Sequence, residues 1–425
     1  MTSAPKSILI TTFGSLGDIH PYIAVARELQ RRGHHPVIAS FDLHREAVEA
    51  AGVGFHAVRP GLAVFGDIES VVRKLFGSLR GPEYMVREIF MKHLRDSYED
   101  TLAAARGVDL MLTHPLTFAA RLVAEKQGIP WVSTVLAPLN LFSAEEPPLY
   151  PAGGWLRGLR KLGVAPYRTV FGALKWMIKY WETPLRRYRA ELGLPPLRVM
   201  AQFEGQFSPL LNLALFSPLL SAQIEDWPAQ TVMCGFARYD GQGIDGEAAA
   251  LQAFLAEGEE PIVFALGSSA VMIAGEFWRH AADAAQTLGR RAVLLTGRLP
   301  GQQPQLPAGV RAFQYLPYSA VFPRASAVVH QAGIGTLAQA LAAGHPQLIV
   351  PVAFDQPDNA RRAVCLGVAR VLPFKQVTAA RLVAQLRPLL DEPSYCQRAT
   401  AVAASLAQEN GAGRAADEIE RVLRR

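Results

Sequence analysis

The chain has 425 residues, half of them apolar and 19% charged, and its 43 Lys/Arg against 37 Asp/Glu give a formal charge of +6. That length spans two or three domains of roughly 100–200 residues, and the composition excludes wholesale disorder, which needs low hydrophobicity and high charge. The 35 glycines and 30 prolines are scattered, which excludes a fibrous repeat.

From the N-terminus, Lys6 is followed by only three apolar residues before Thr11, too few for a signal h-region. Residues 7–12 (SILITT) read as a buried strand and residues 13–18 (FGSLGD) as a glycine-rich turn. Residues 19–32 read as a helix closed by Gly33, and 36–40 as a second strand. Strand, tight turn, helix and strand of these lengths make a βαβ unit, hence a parallel sheet. Residues 109–113 and 131–136 look like further strands, with a helix over 115–127 between them. Residues 151–200 hold ten Lys/Arg against two acids, a local +8 that describes a partner surface rather than the fold. Within them, 167–183 (YRTVFGALKWMIKYWET) reads as a helix stopped by Pro184, with Arg168, Lys175 and Lys179 on one stripe. Two readings stand: a core helix with a solvated basic edge, or an interfacial helix or hydrophobic acceptor wall near anionic lipid. No nucleic-acid module accompanies the patch.

The opening phrase returns in the second half. Residues 261–266 (PIVFAL) form a strand followed by Gly267-Ser268, and 291–296, 327–330 and 347–352 are further strands. The fold class is therefore α/β, with two Rossmann-like doubly wound domains facing a cleft. The boundaries fall at 1–235 and 246–405, and one charged amphipathic helix begins near 401 and packs residues 406–425 back on the first domain. Stretches 205–224 and 325–354 lack Asp, Glu, Lys and Arg but are broken by Pro, Gln, Ser or His, so they read as buried strands and helix starts rather than membrane spans. Cys234, Cys365 and Cys396 lie far apart with no CxxC, which fits buried thiols in a reducing cytoplasm and no metal site.

Chemistry concentrates at His330-Gln331-Ala332-Gly333-Ile334-Gly335-Thr336, directly after a strand, with a helix expected over 337–343. Backbone N–H groups and the helix dipole converge there on an anion, most simply a phosphate. The next strand ends in Asp355-Gln356, with Asn359 following. A carboxylate beside an amide can grip vicinal hydroxyls, because the pair supplies acceptors and donors. A phosphate cradle beside a polyol grip is a nucleotide-sugar site. Asp355 could alternatively cap a helix.

His-x-x-Gly-x-Gly-Thr followed by Asp-Gln-x-x-Asn resembles the donor signature of inverting nucleotide-sugar glycosyltransferases of the two-Rossmann (GT-B) type. Gly14-Ser15-x-Gly17-Asp18-x-x-Pro21 is similar to their bacterial members, including the rhamnolipid-type, sterol and glycopeptide enzymes. The resemblance implies that His330, Gly333, Gly335 and Thr336 hold the pyrophosphate, with Asn359 nearby and Ser268 as a further donor. It implies that Asp355 and Gln356 hold the sugar and that Tyr315 and Leu316 lie at the base. Gly14, Ser15 and Gly17 join this donor-binding set. Ala332 departs from the glycine of many members. Asp18 is the expected general base, with His20 as its substitute and His114 as an orienting or acceptor-contacting group. Asp18 could instead cap the helix, His20 could be an exposed helix histidine, and His114 a satisfied core residue. No metal or other cofactor is expected, because N–H groups at the helix start and His330 would steady the departing diphosphate.

The expected reaction moves a hexose from a UDP- or dTDP-sugar to a lipophilic small-molecule acceptor, whose pocket the apolar, Pro-rich residues 137–154 would line. The expected location is cytoplasmic, with peripheral contact to an anionic membrane surface. A non-catalytic helper of the same fold and a sugar-nucleotide epimerase are the rival functions.

Overall fold

A computed structural model describes residues 4–61, 64, 66–77, 80–150, 154–241, 243–244, 246–297 and 306–424. The chain forms two compact units, Met1–Tyr239 with Asn410–Arg425, and Asp240–Glu409.

Among the described residues the first unit carries a seven-stranded parallel sheet. Its strands are β1 (Ser7–Thr11), β2 (His35–Ser40), β3 (Gly54–Ala57), β4 (Leu110–Thr113), β5 (Trp131–Val135), β6 (Asn212–Ala214) and β7 (Thr231–Met233). The second unit carries six: β8 (Ile262–Ala265), β9 (Ala292–Leu295), β10 (Val310–Phe313), β11 (Ala327–His330), β12 (Gln347–Ile349) and β13 (Ala369–Val371). The orders are 3-2-1-4-5-6-7 and 10-9-8-11-12-13. Both are doubly wound sheets whose direction reverses once, between β1 and β4 and between β8 and β11. Ligands of such sheets bind at that switch point, beyond the carboxyl ends of the strands.

The central strands are buried on both faces, as parallel strands covered by helices must be. Ile8, Leu9 and Ile10 are at most 1% exposed, and Ile262, Val263 and Phe264 are fully buried. Strands β3, β7, β10 and β13 escaped the sequence reading, and β6 was read only as part of the uncharged stretch 205–224. Three or four residues are too few to establish a period of two.

Two expected helices are each divided. The segment read as one helix over 167–183 is an α-helix at Val164–Ile178, a 3₁₀ turn at Lys179–Glu182 and a second helix at Thr183–Glu191. Pro184 does not stop the first helix; it sits in the first turn of the next, where its missing N–H costs nothing. Tyr167 is fully buried beside Val170, Phe171 and Leu174, while Trp176, Met177 and Tyr180 are exposed. The expected single terminal helix is two, Pro393–Leu406 and Gly411–Leu423. The Asn410 side chain caps the latter by accepting from Gly413 N–H at 3.0 Å, and a Cβ on Gly411 would lie 2.5 Å from the Gly235 carbonyl oxygen. Arg32 holds this helix through Asp417 at 2.6 Å.

Of the cysteines, Cys234 is buried but Cys365 and Cys396 are exposed, against the expectation of three buried thiols. Among the described residues no helix is long and apolar enough to cross a membrane, and no cluster of three or more His, Cys, Asp or Glu could hold a metal ion.

Candidate functional site

In the first unit the switch point is the turn after β1. Gly14 has φ +132°, and a Cβ there would lie 2.2 Å from Asp18 Oδ2, so only glycine lets the turn close on the carboxylate. Ser15 is the helix N-cap. Its backbone N–H donates to Asp18 Oδ2 at 2.7 Å and its hydroxyl at 3.1 Å, which makes a capping box. The helix therefore runs Leu16–Arg31, three residues longer at its start than the sequence reading, and Asp18 is its third residue rather than its cap. Ser15 spends its donors on Asp18, so Gly14 and Ser15 serve the carboxylate here rather than a donor phosphate. Gly17 is less constrained, since a Cβ there would meet Ser15 Oγ at 3.4 Å.

These bonds engage Asp18 Oδ2 and leave Oδ1 outside the capping box. His114 Nε2 faces it at 3.8 Å, and the Asp18 side chain is 32% exposed. Desolvation pushes the Asp18 carboxyl up to about 6, against the lowering pull of the Ser15 N–H and hydroxyl. His114 Nδ1 accepts from Leu116 N–H at 3.2 Å, so its proton sits on Nε2, toward Asp18. Burial first, then the Arg121 cation, lowers His114 to about 3, so the ring is neutral. His20 is half-buried rather than exposed, with its ring edge-on to Tyr239 at 5.4 Å. Burial, with a contribution from His44, lowers it to about 4. Burial thus raises the Asp18 carboxyl and lowers the His20 ring.

In the second unit the switch point joins the turns after β8, β11 and β12. Gly333 is the N-cap of a helix at Ile334–Ala343, three residues earlier than expected, so the first-turn N–H groups belong to Ile334, Gly335 and Thr336. Gly267 has φ +69°, and a Cβ on it would lie 2.1 Å from Gln331 Nε2. Gln331 also reaches the Thr336 hydroxyl at 3.4 Å, and its Oε1 is buried without a partner. The Tyr318 hydroxyl is hydrogen-bonded by Thr336 and the Gly267 backbone. Gln331 and Tyr318 had no role in the sequence reading; the glycine on either side of Gln331's contacts was the only local signal.

His330 departs from its expected part. It is fully buried, Nδ1 accepts from Ala332 N–H at 3.1 Å, and Nε2 donates to Gln347 Oε1 at 3.0 Å. Burial lowers it to about 4. Both ring nitrogens are engaged, so His330 shapes the turn and offers no side-chain donor to a phosphate in this arrangement. Ala332 has φ +64°, the left-handed region that favours glycine, so the methyl leaves the turn intact but strained.

Asn359 joins the two motifs. Its Nδ2 donates to the Ala332 carbonyl at 3.0 Å and to Asp355 Oδ2 at 2.6 Å, which ties the turn after β11 to the loop after β12. The two acceptors require the amide NH2 on that side. Asp355 is the N-cap of the Gln356–Cys365 helix but caps no N–H with its side chain. Gln356 Oε1 accepts from Val352 N–H at 2.8 Å and Ala353 N–H at 3.1 Å, leaving its NH2 as the donor end. Asp358 is fully buried and paired with Arg362 at 2.7 Å and Arg361 at 3.2 Å.

Tyr315 and Leu316, expected at the base, are both tied into the second unit. The Glu247 carboxylate accepts from Gln314 N–H at 2.7 Å and Tyr315 N–H at 2.9 Å, so that Tyr315 amide is occupied. Leu316 points into the core at 2% exposure. Tyr315 is half-buried and keeps its ring; Ser268 lies in the short Gly267–Ala270 helix beside the same turn.

Two family models match the chain: the glycosyltransferase family 28 N-terminal domain over residues 8–141, and the erythromycin biosynthesis protein CIII-like C-terminal domain over residues 292–423. The O-mycaminosyltylonolide 6-deoxyallosyltransferase of Streptomyces fradiae is 30% identical, over 97% of this chain and 96% of that protein. Among solved structures, the spinosyn forosaminyltransferase SpnP superposes with a TM-score of 0.71 at 19% identity, covering 99% of this chain and all of that one. Glycosyltransferase VinC in complex with dTDP gives 0.69 at 23% identity, covering 98% and 99%.

Proposed function

Because the chain belongs to the GT-B glycosyltransferases of family 1 and is a nucleotide-sugar-dependent glycosyltransferase, we propose that it moves a hexose, with inversion, from a UDP- or dTDP-sugar to a hydroxyl of a lipophilic small molecule. The observation that carries the donor reading is the Asn359 tie: one side chain bonds both the Ala332 turn and Asp355. A diphosphate at the N–H groups opening the Ile334–Ala343 helix would then leave its sugar within reach of Asp355 and the Gln356 NH2. In the transfer the acceptor oxygen bonds to the anomeric carbon from the face opposite the leaving group. The anomeric C–O bond to the diphosphate breaks, and the acceptor proton passes to Asp18 Oδ1. His114 Nε2–H steadies the carboxylate. Helix-start N–H groups take up the charge on the departing diphosphate.

A lipophilic acceptor is favoured by an aromatic cluster after β5. Phe142 lies 4.7 Å from Phe203, Phe171 lies 5.6 Å from Tyr167, and Lys175 Nζ sits 5.4 Å over the Phe171 ring. The test is product mass from UDP- and dTDP-hexoses, 6-deoxyhexoses included, against lipophilic alcohols and hydrophilic sugars, with the new anomeric bond read by NMR. A retained anomeric configuration removes the inverting reading, and equal turnover of hydrophilic sugars removes the lipophilic one. An altered hexose with donor alone would indicate an epimerase. Neither transfer nor hydrolysis with any donor would indicate a helper.

A second reading, peripheral contact with an anionic membrane at its cytoplasmic face, is favoured by exposure. Trp155, Leu162, Trp176, Met177 and Tyr180 are all more than half exposed, and residues 151–181 contain six Lys/Arg and no acid. Arg160, Arg168 and Lys175 pair with Glu145, Asp226 and Glu204 outside the segment, and exposed aromatic rings beside a basic stretch suit the headgroup boundary. Flotation with phosphatidylglycerol vesicles, but not with phosphatidylcholine alone, supports it; equal flotation with both or with neither rejects it.

A further inference from the structure

We propose that His44 is a positioning residue for the Asp18 carboxylate, acting through the Gly14–Ser15 peptide; the inference rests on Asp18 being the base. His44 closes a short 3₁₀ turn at Asp42–His44 after β2, thirty residues from the turn it serves. It is 1% exposed, and its Nε2 lies 3.0 Å from the Gly14 carbonyl oxygen. A carbonyl only accepts, so Nε2 carries the proton and donates; Nδ1 is buried without a partner. Burial lowers the ring to about 4, which keeps it in this neutral, single-donor form.

The Gly14–Ser15 peptide is gripped at both ends. His44 holds its carbonyl oxygen, and its N–H donates to Asp18 Oδ2 at 2.7 Å. A peptide is planar, so fixing the oxygen fixes the direction of the N–H. Two hydrogen bonds on opposite ends of one peptide also polarise each other, which strengthens the N–H toward the carboxylate. Gly14 has φ +132° and no side chain to steady it, so the plane would otherwise turn easily. The capping box anchors Oδ2 only as well as this peptide is anchored, and Oδ1 is aimed by the same geometry. The other titratable groups around Asp18 are His114, with Nε2 3.8 Å from Oδ1, His20 on the same helix, and Tyr22, whose hydroxyl contacts Thr134 at 2.5 Å. None of them contacts the Gly14 carbonyl.

The experiment compares His44→Leu, which has no donor, with His44→Gln, whose NH2 can reach the carbonyl. It measures kcat, donor KM and the acid limb of kcat/KM in the full-length enzyme, with melting curves to establish folding. The expected result is a kcat about tenfold lower in His44→Leu, the loss of roughly one hydrogen bond's worth of orientation. Its acid limb should move to higher pH, because the bond that lowers the Asp18 carboxyl is weakened. Donor KM should stay within about twofold, and His44→Gln should recover kcat and limb together. A folded His44→Leu with kcat and limb unchanged overturns the inference, as does a Gln variant as impaired as Leu. Should His44→Leu not fold, His44→Gln against His44→Met serves as the pair under the same criteria. The underlying assignment fails separately, by Asp18→Asn retaining activity.

Discussion

Asn359 Nδ2 lies 2.6 Å from Asp355 Oδ2, and that single contact fixes the loop after β12 to the turn after β11, whose Ala332 carbonyl the same amide holds at 3.0 Å. Asn359 is fully buried, so neither bond can be replaced by water without rearrangement. The loop that carries Asp355 and Gln356 and the turn after β11 are held as one piece by the Asn359 side chain.

Asn359→Leu keeps the volume and removes both donors. It takes the side-chain partner from the buried Ala332 carbonyl, a cost of about 1–3 kcal/mol, and removes one partner of the half-buried Asp355 carboxylate. Melting temperature should fall, and donor affinity by calorimetry should fall at least tenfold. Asn359→Asp should be worse for donor binding, because two carboxylates then meet where one bond was. Unchanged donor affinity in both variants would mean the tie is structural only.

Gly14→Ala should abolish transfer while leaving nucleotide binding intact. Its Cβ would lie 2.2 Å from Asp18 Oδ2, whereas Gly17→Ala meets only an ordinary 3.4 Å contact and should keep most of its activity. Calorimetry with UDP or dTDP beside turnover rates separates the two effects. Equal activity in both variants would contradict the close-approach argument.

Ala332 carries a left-handed backbone with φ +64°. Ala332→Gly removes a strain of about 1–2 kcal/mol and loses one buried methyl, so the melting temperature should hold or rise slightly. Ala332→Val adds β-branching at the same φ and should be clearly destabilising. The order Gly ≥ Ala > Val in melting curves is the expected outcome.

Activity and stability both fall as pH drops, for different reasons. Asp18 must be ionised to accept a proton, so kcat/KM should fall tenfold per unit below about pH 6. The acid limb should be absent from any residual activity of Asp18→Asn. For stability, His20, His44, His114 and His330 all have folded values pushed below the unfolded 6.5, to about 4, 4, 3 and 4. Between those values and 6.5 the unfolded chain binds more protons, so stability falls as pH drops through that window. Asp18 opposes this between 3.8 and about 6, where the folded state protonates first. Four groups outweigh one, so urea midpoints should fall from pH 7 to pH 5. A flat or rising midpoint would mean those histidines are not buried as neutral rings.

The α/β class, the doubly wound plan and the two glycine turns were legible in residues 7–18 and 261–268, because a buried apolar run ended by Gly-Ser is a local pattern. So was the Asp355-Gln356-x-x-Asn359 cluster, since its members lie within one helical turn and its loop. Sequence could not say that His330 turns both nitrogens inward, because Gln347 lies on the neighbouring strand and comes within 3.0 Å only when β11 and β12 pair. It could not find His44, which looks like part of a polar surface turn until β2 sets it beneath the Gly14 carbonyl. Local order follows from propensity and periodicity within a dozen residues; the direction of each buried donor follows from which strand lies next to which.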